Sequence, residues 1–231
     1  MRLDKFLSQH TDYSRSQIHQ LVKAARVKIN GEVIRVADYK LRDAEQVTLD
    51  NQIIQALSSR YFMLNKPLGY VCANTDSEHP VVLDLLDIPR KQDLQIAGRL
   101  DLDTTGLVLL TDDGQWNHRI TSPRQECEKT YRVTTADPID EKVIALFAHG
   151  VQLNGEKNLT RPAQLELFDA HSARLTIHEG KYHQVKRMFA ATGNRVVQLH
   201  RESIGSIKLD PALLPGECRP LTHEEIQGAI G

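Results

Sequence analysis

Two carboxylates and a guanidinium crowd one short stretch of this 231-residue chain. In Gly98-Arg-Leu-Asp-Leu-Asp-Thr-Thr-Gly106, Arg99, Asp101 and Asp103 occupy alternate positions between two glycines. A short apolar run (Leu94, Ile96, Ala97) precedes the stretch and an uninterrupted one (Leu107-Val-Leu-Leu110) follows it. It therefore reads as a polar loop between two buried strands, a common position for catalytic groups. The loop could be an active site, a metal site or a polar turn.

Metal binding is tested by ligand spacing. Asp101-x-Asp103-x-Thr105-Gly106, with Asp112 at the twelfth position, approaches an EF-hand loop. The final ligand, however, is Asp rather than the longer Glu, and the second half of the loop is four apolar residues that belong in a sheet. The ten histidines form no H-E-x-x-H, and His178 and His183 straddle a turn, so zinc has no frame. No glycine-rich phosphate cradle and no G-x-S-x-G elbow occurs. What remains is a carboxylate beside an arginine, a tyrosine on a strand and basic helices, a set that needs neither cofactor nor metal.

A carboxylate acts as a covalent nucleophile when ionised, which a neighbouring cation favours. A helix expected over 182–192 supplies two candidates. At about 100° per residue, Val185, Met188 and Phe189 form its buried stripe. Lys186 lies beside that stripe, placed for a partly buried ion pair. Arg187 points away, placed for phosphate.

The overall charge is −1, but it is unevenly spread. Residues 1–28 carry six basic groups against two acidic ones, and residues 174–201 carry six against one. Two basic stretches in a neutral protein suggest a localised anionic partner. Cys72, Cys127 and Cys218 are odd in number and widely spaced, which argues against a disulfide framework. No apolar run approaches a transmembrane span, and the start lacks the apolar core of a signal peptide. The expectation is a cytoplasmic, non-membrane protein, and nothing suggests a dimer.

The elements that must position the loop follow from periodicity. Leu3, Phe6 and Leu7 have helical spacing. Ser14 with Gln17 forms a capping-box pattern before a stripe of Ile18, Leu21, Val22 and Ala25. Asn30-Gly31 joins two short strands in the strongest hairpin signal, and Val47-Thr-Leu49 follows an Asp43-centred turn. Residues 51–60 have no strong strand signal, so the linker is placed at 55–60, between domains at 1–54 and 61–231. Beyond it, strands are expected at 61–64, 129–134, 165–167, 174–177 and 196–199. Helices are expected at 81–86, after Asp113, at 139–148, at 182–192 and after Thr222. There is no β-α-β alternation of the Rossmann kind. The fold class is α+β with a mixed, largely antiparallel sheet and flanking helices.

Arg2-Leu-Asp-Lys-Phe6, Ser14-Arg-Ser16 and Arg26-Val-Lys-Ile-Asn-Gly31 resemble the S4 RNA-binding domain, an implied RNA grip through Arg15, Lys23 and Arg26. Gly98-Arg-Leu-Asp-x-Asp-Thr-Thr-Gly-Leu107 resembles the catalytic-aspartate motif of the RluA/RsuA superfamily of pseudouridine synthases. Leu64-Asn-Lys-Pro67, Glu128-Lys-Thr-Tyr131 and Glu179-Gly-Lys-Tyr-His-Gln-Val-Lys-Arg-Met188 fall in the family's order, and the last is similar to the RsuA branch. The resemblance implies isomerisation of a uridine in 16S rRNA, at the site called uridine 516, with a sibling acting on 23S rRNA or a non-catalytic assembly factor as alternatives. It makes Asp101 the nucleophile, Tyr131 the residue against the flipped base and Lys186 the partner of Asp101. Arg99 would enter the RNA stack, while Lys66 is open between structure and phosphate binding. The implied partner is rRNA, naked or in an assembling small subunit.

Overall fold

The apolar run after Gly106 becomes an interior strand in the larger of two compact units, residues 1–58 and 59–231. The computed structural model describes residues 1–42, 44–55, 58–122 and 125–229. Asp43, at the centre of the expected turn, and Ala56 and Leu57 of the expected linker lie outside the described residues.

In the first unit, α1 (Leu3–His10) and α2 (Arg15–Lys23) precede β1 (Val27–Ile29), β2 (Glu32–Val33), β3 (Val47–Leu49) and β4 (Gln52–Ile53). The Ser14 hydroxyl accepts from the Gln17 backbone N–H, and the Gln17 side chain accepts from the Ser14 N–H, which closes the capping box. Asn30 and Gly31 both have positive φ (50° and 87°), as a type I′ hairpin turn requires. Leu3, Phe6, Leu7, Ile18, Leu21 and Val22 pack with Val27, Ile29, Val47 and Leu49 in one core. Two details depart from expectation. Ala25 is not part of the α2 stripe but lies past the helix end at φ 60°. β4 occupies residues read as lacking strand character, because Asp50 and Asn51 (φ 51° and 63°) make a second tight turn that folds Gln52 and Ile53 back onto β3.

The second unit contains β5 (Tyr61–Lys66), β6 (Gln95–Ala97), β7 (Thr105–Thr111), α3 (Gly114–Thr121), β8 (Lys129–Thr135), α4 (Lys142–His149), β9 (Gln164–Leu167), β10 (Ser172–Ile177), α5 (Gln184–Ala190), β11 (Val196–Ile204), β12 (Ile207–Lys208), β13 (Cys218–Pro220) and α6 (His223–Gly228). Its sheet runs β13-β5-β7-β11-β8-β10-β9, with β6 added to β7 and β12 to β11. Among these strands only β7 and β11 pair in parallel, apart from one isolated parallel bridge between Val71 and Val81. This is the mixed, largely antiparallel α+β architecture expected.

β7 is buried on both faces because it serves two cores. Val108 and Leu110 join a core with Tyr131, Val133, Leu175, Met188 and Phe189. Leu107 and Leu109, alternating to the opposite face, join Met63, Trp116, Ile120 and Ile204. One edge of β7 pairs with β5 from Gly106 to Thr111. The other edge changes partner: Thr105 and Gly106 pair with β11, whereas Leu109 to Thr111 pair with β6. The chain from Gly98 to Thr104 leaves the sheet where that edge divides. Strand pairing thus positions the loop.

Several element ends shift. Val82–Leu85 forms a 3₁₀ turn instead of an α-helix, since Pro80 and Pro89 leave little room to propagate one and Asp84 bonds back to the Val81 N–H at 3.0 Å. α4 begins at Lys142 instead of 139, and the Ile139 N–H is bound to the Ala170 carbonyl. The helix expected over 182–192 is limited to Gln184–Ala190, with His183 left-handed at its start (φ 45°). β11 continues five residues past Leu199, through His200, Arg201 and Glu202. Polar residues hid that continuation, and the two- and three-residue strands β12 and β13 carry too little pattern to be read.

Candidate active site

The loop owes its shape to close backbone approach and two buried cations. At Gly106 (φ 103°) a Cβ would stand 2.4 Å from the Arg201 carbonyl oxygen and 2.7 Å from its nitrogen, so the parallel pairing of β7 with β11 admits only glycine. Arg201 is 1% exposed. Its Nη2 donates to the Gly98 carbonyl at 2.5 Å, its Nη1 to that of Arg99 at 3.4 Å, and its Nε to that of Leu107 at 2.8 Å. One guanidinium therefore ties both ends of the loop to β11. Lys66 ties its middle: Nζ donates to the carbonyls of Thr104 (2.7 Å), Pro67 (3.0 Å) and Leu102 (3.3 Å). Burial pulls the pKa of Lys66 below the ordinary lysine value.

On this frame Asp101 faces α5. Its Oδ2 accepts from Lys186 Nζ at 3.0 Å, and its Oδ1 lies 3.4 Å from His183 Nε2. Lys186 also donates to Asp103 Oδ1 at 2.5 Å. Burial alone would lower the pKa of Lys186, but its bonds to Asp103 and Asp101 prevail and raise it. Burial likewise opposes ionisation of Asp103, yet the Lys186 hydrogen bond and charge hold it below the usual carboxylate range. The Tyr182 and His183 rings stack with centroids 3.8 Å apart.

Tyr131 lies on β8, paired across to Arg201 on one side and Leu175 on the other. It is 7% exposed, with its ring centroid 5.9 Å from the Arg201 guanidinium carbon. Arg99, Asp101, Tyr131, His183 and Lys186 line one cavity of about 820 Å³, within the ~300–1,000 Å³ typical of ligand sites. The three expected catalytic residues and Arg99 thus meet in one place. Among the described residues no group of three or more His, Cys, Asp or Glu could hold a metal. No helix among them is long and apolar enough to cross a membrane.

The other expected RNA contacts fare differently. Lys66 is fully buried and bonded to loop carbonyls; it is structural, not a phosphate ligand. Arg187 is bonded to Glu156 and to the Asn154 and Tyr182 carbonyls instead of standing free for phosphate. Arg201, counted in the basic stretch 174–201, is interior. Arg15 and Lys23 are exposed on the first unit, whereas Arg26 forms a two-point pair with Asp50. Sequence reasoning missed Arg201 and His183. A strand continuing beyond Leu199 would have placed Arg201 opposite Tyr131; no sequence signal announces the positive φ of His183.

The model of a family described as RNA pseudouridylate synthase matches residues 60–191, and that of the S4 domain matches residues 1–47. The chain is 58% identical over 227 residues to the ribosomal small subunit pseudouridine synthase A of Yersinia pestis, covering 98% of this chain and 97% of that protein. It is 56% identical over 231 residues to the protein of that name from Escherichia coli (strain K12), covering 100% of both. A solved structure titled "Crystal structure of pseudouridylate synthase" superposes with a TM-score of 0.73 at 49% identity, covering 99% of each chain.

Proposed function

The chain belongs to the RNA pseudouridylate synthase family, and from that premise we propose that it isomerises one uridine of small-subunit ribosomal RNA with Asp101 as the nucleophile. The observation that carries this reading is the Asp101 carboxylate, 3.0 Å from the Lys186 ammonium, in a cavity shared with Tyr131. A carboxylate paired to a cation and fixed on a clamped loop suits covalent attack.

The reaction breaks the N1–C1′ bond, joins C5 to C1′ and exchanges the C5 proton for one on N1, so every atom of the uridine is retained. Neither an oxidant nor a nucleotide is called for. Asp101 bonds transiently to the substrate while the uracil turns. Lys186 orients the carboxylate, and Tyr131 stacks on the flipped base and assists departure of the C5 proton. Extrusion of the base costs a few kcal/mol; the exposed Arg99 fills the vacated stack. The S4 unit grips RNA through Arg15 and Lys23. The names of relatives 50–58% identical over nearly their full lengths support the small-subunit substrate. The target is the uridine at position 516, and the enzyme works as a cytoplasmic monomer.

Pseudouridine mapping of ribosomal RNA from cells lacking this protein tests the substrate. One small-subunit pseudouridine is expected to disappear. An unchanged small-subunit pattern, or a loss confined to the large subunit, would refute the assignment.

A further inference from the structure

Five cations line the catalytic cavity: Arg99, Lys129, Lys181, Lys186 and Arg201. Three are committed to protein groups. Lys186 is shared by Asp101 and Asp103, Lys181 is paired with Glu156 at 3.0 Å, and Arg201 is sealed beneath loop carbonyls. Arg99 is assigned to the RNA stack. Lys129 is left without a role.

Lys129 stands two residues before Tyr131 on β8, so strand alternation puts both side chains on the same face, ~6.6 Å apart along the strand. Across the sheet it is paired with Ile177 of β10, which also lines the cavity. Its Nζ donates to the Cys127 carbonyl at 2.9 Å. Among the described residues it has no carboxylate partner; neighbouring Glu128 is directed to His178. Burial lowers its pKa below the ordinary lysine value. A half-buried ammonium with a single carbonyl acceptor has been partly stripped of water with only that one bond in compensation, an arrangement that an incoming anion relieves.

We propose that Lys129 is a phosphate-binding residue of the active site, seating a backbone phosphate next to the uridine whose base lies on Tyr131. This rests on the reading of the cavity as an RNA site and gives it a second fixed point. Base and backbone are then held by two side chains of one strand, and the phosphate contact adds binding that is equal in the ground and transition states.

The test uses the full-length protein and a small-subunit rRNA transcript. Lys129→Met is expected to raise the half-saturating concentration in single-turnover assays ~3–10-fold, to lower the slope of log K against log salt by ~0.7–0.9, and to leave the saturating rate within about twofold. Lys129→Arg restores the salt slope. An unchanged slope in Lys129→Met, or a fall in saturating rate at unchanged half-saturation, would overturn the proposal. If the Met variant does not fold, Lys129→Gln against Lys129→Arg carries the same comparison. Failure of the parent reading looks different: the wild type would bind the transcript and form no pseudouridine, while the salt slopes of the variants could still be compared.

Discussion

The two basic stretches of this chain look alike in sequence and differ in the molecule. In residues 1–28, Arg15 and Lys23 are exposed and carry no ion pair among the described residues. In residues 174–201 most of the excess charge is paired or buried, and only Arg195 is exposed with no ion pair among the described residues. Arg174 pairs with Glu166 and Glu202, Lys181 and Arg187 with Glu156, and Lys186 with Asp101 and Asp103; Arg201 is buried. Linear charge density therefore does not separate cations left exposed from cations paired within the fold. Partners contributed by distant strands decide which it is.

The contrast is broken most severely at Arg201. Arg201→Met removes the donors from the half-buried Gly98 carbonyl and the buried Leu107 carbonyl, and at ~1–3 kcal/mol per unpaired group the loss of stability is roughly 2–6 kcal/mol. Denaturant unfolding checks it, and activity should fall with the fold. Lys186→Met is expected to act on chemistry alone: the single-turnover rate falls ~10²-fold, with RNA affinity nearly unchanged. A fall in affinity of the same size would move Lys186 into the binding class.

The pH dependence sharpens the same distinction. The pKa of Lys186 is raised by its two carboxylates, so the ion pair is intact below the ordinary lysine range and is lost only as pH rises through the higher, folded-state value. The single-turnover rate should show no alkaline decline attributable to Lys186 below about pH 10. A Lys186-dependent decline centred near pH 8–9 would contradict the pairing. The smallest effect is expected in the first unit. Neutralising Arg15 and Lys23 together should reduce the salt slope by about 1.5 and leave the saturating rate unaltered.

Much of the fold was legible because local chemistry and burial agreed. The Asn30-Gly31 turn, the Ser14 capping box and the alternation at Tyr131 and Val133 each have a local cause. So does the Val185, Met188 and Phe189 stripe, which placed Lys186 toward the buried side and hence near Asp101. What escaped depended on distant partners. Lys66 follows a strand and precedes Pro67 in either role, and only the carbonyls of Leu102 and Thr104 make it interior. Arg201 looked like a surface base until β11 was extended beside Gly106, and Arg187 looked free until Glu156 was brought to it. Two-residue turns such as Asp50-Asn51 were overlooked because the strand they create is too short to carry a pattern.

The central claim is that Asp101 performs the chemistry on a loop held by other residues. The most direct measurement compares Asp101→Asn with the wild type on one small-subunit rRNA transcript, following pseudouridine formation and RNA affinity in parallel. Asparagine keeps the size of the side chain and an acceptor for Lys186, but it is no nucleophile. The expected result is a rate reduced by at least ~10³-fold with affinity within about twofold. Pseudouridine formed at a rate near that of the wild type would contradict the account.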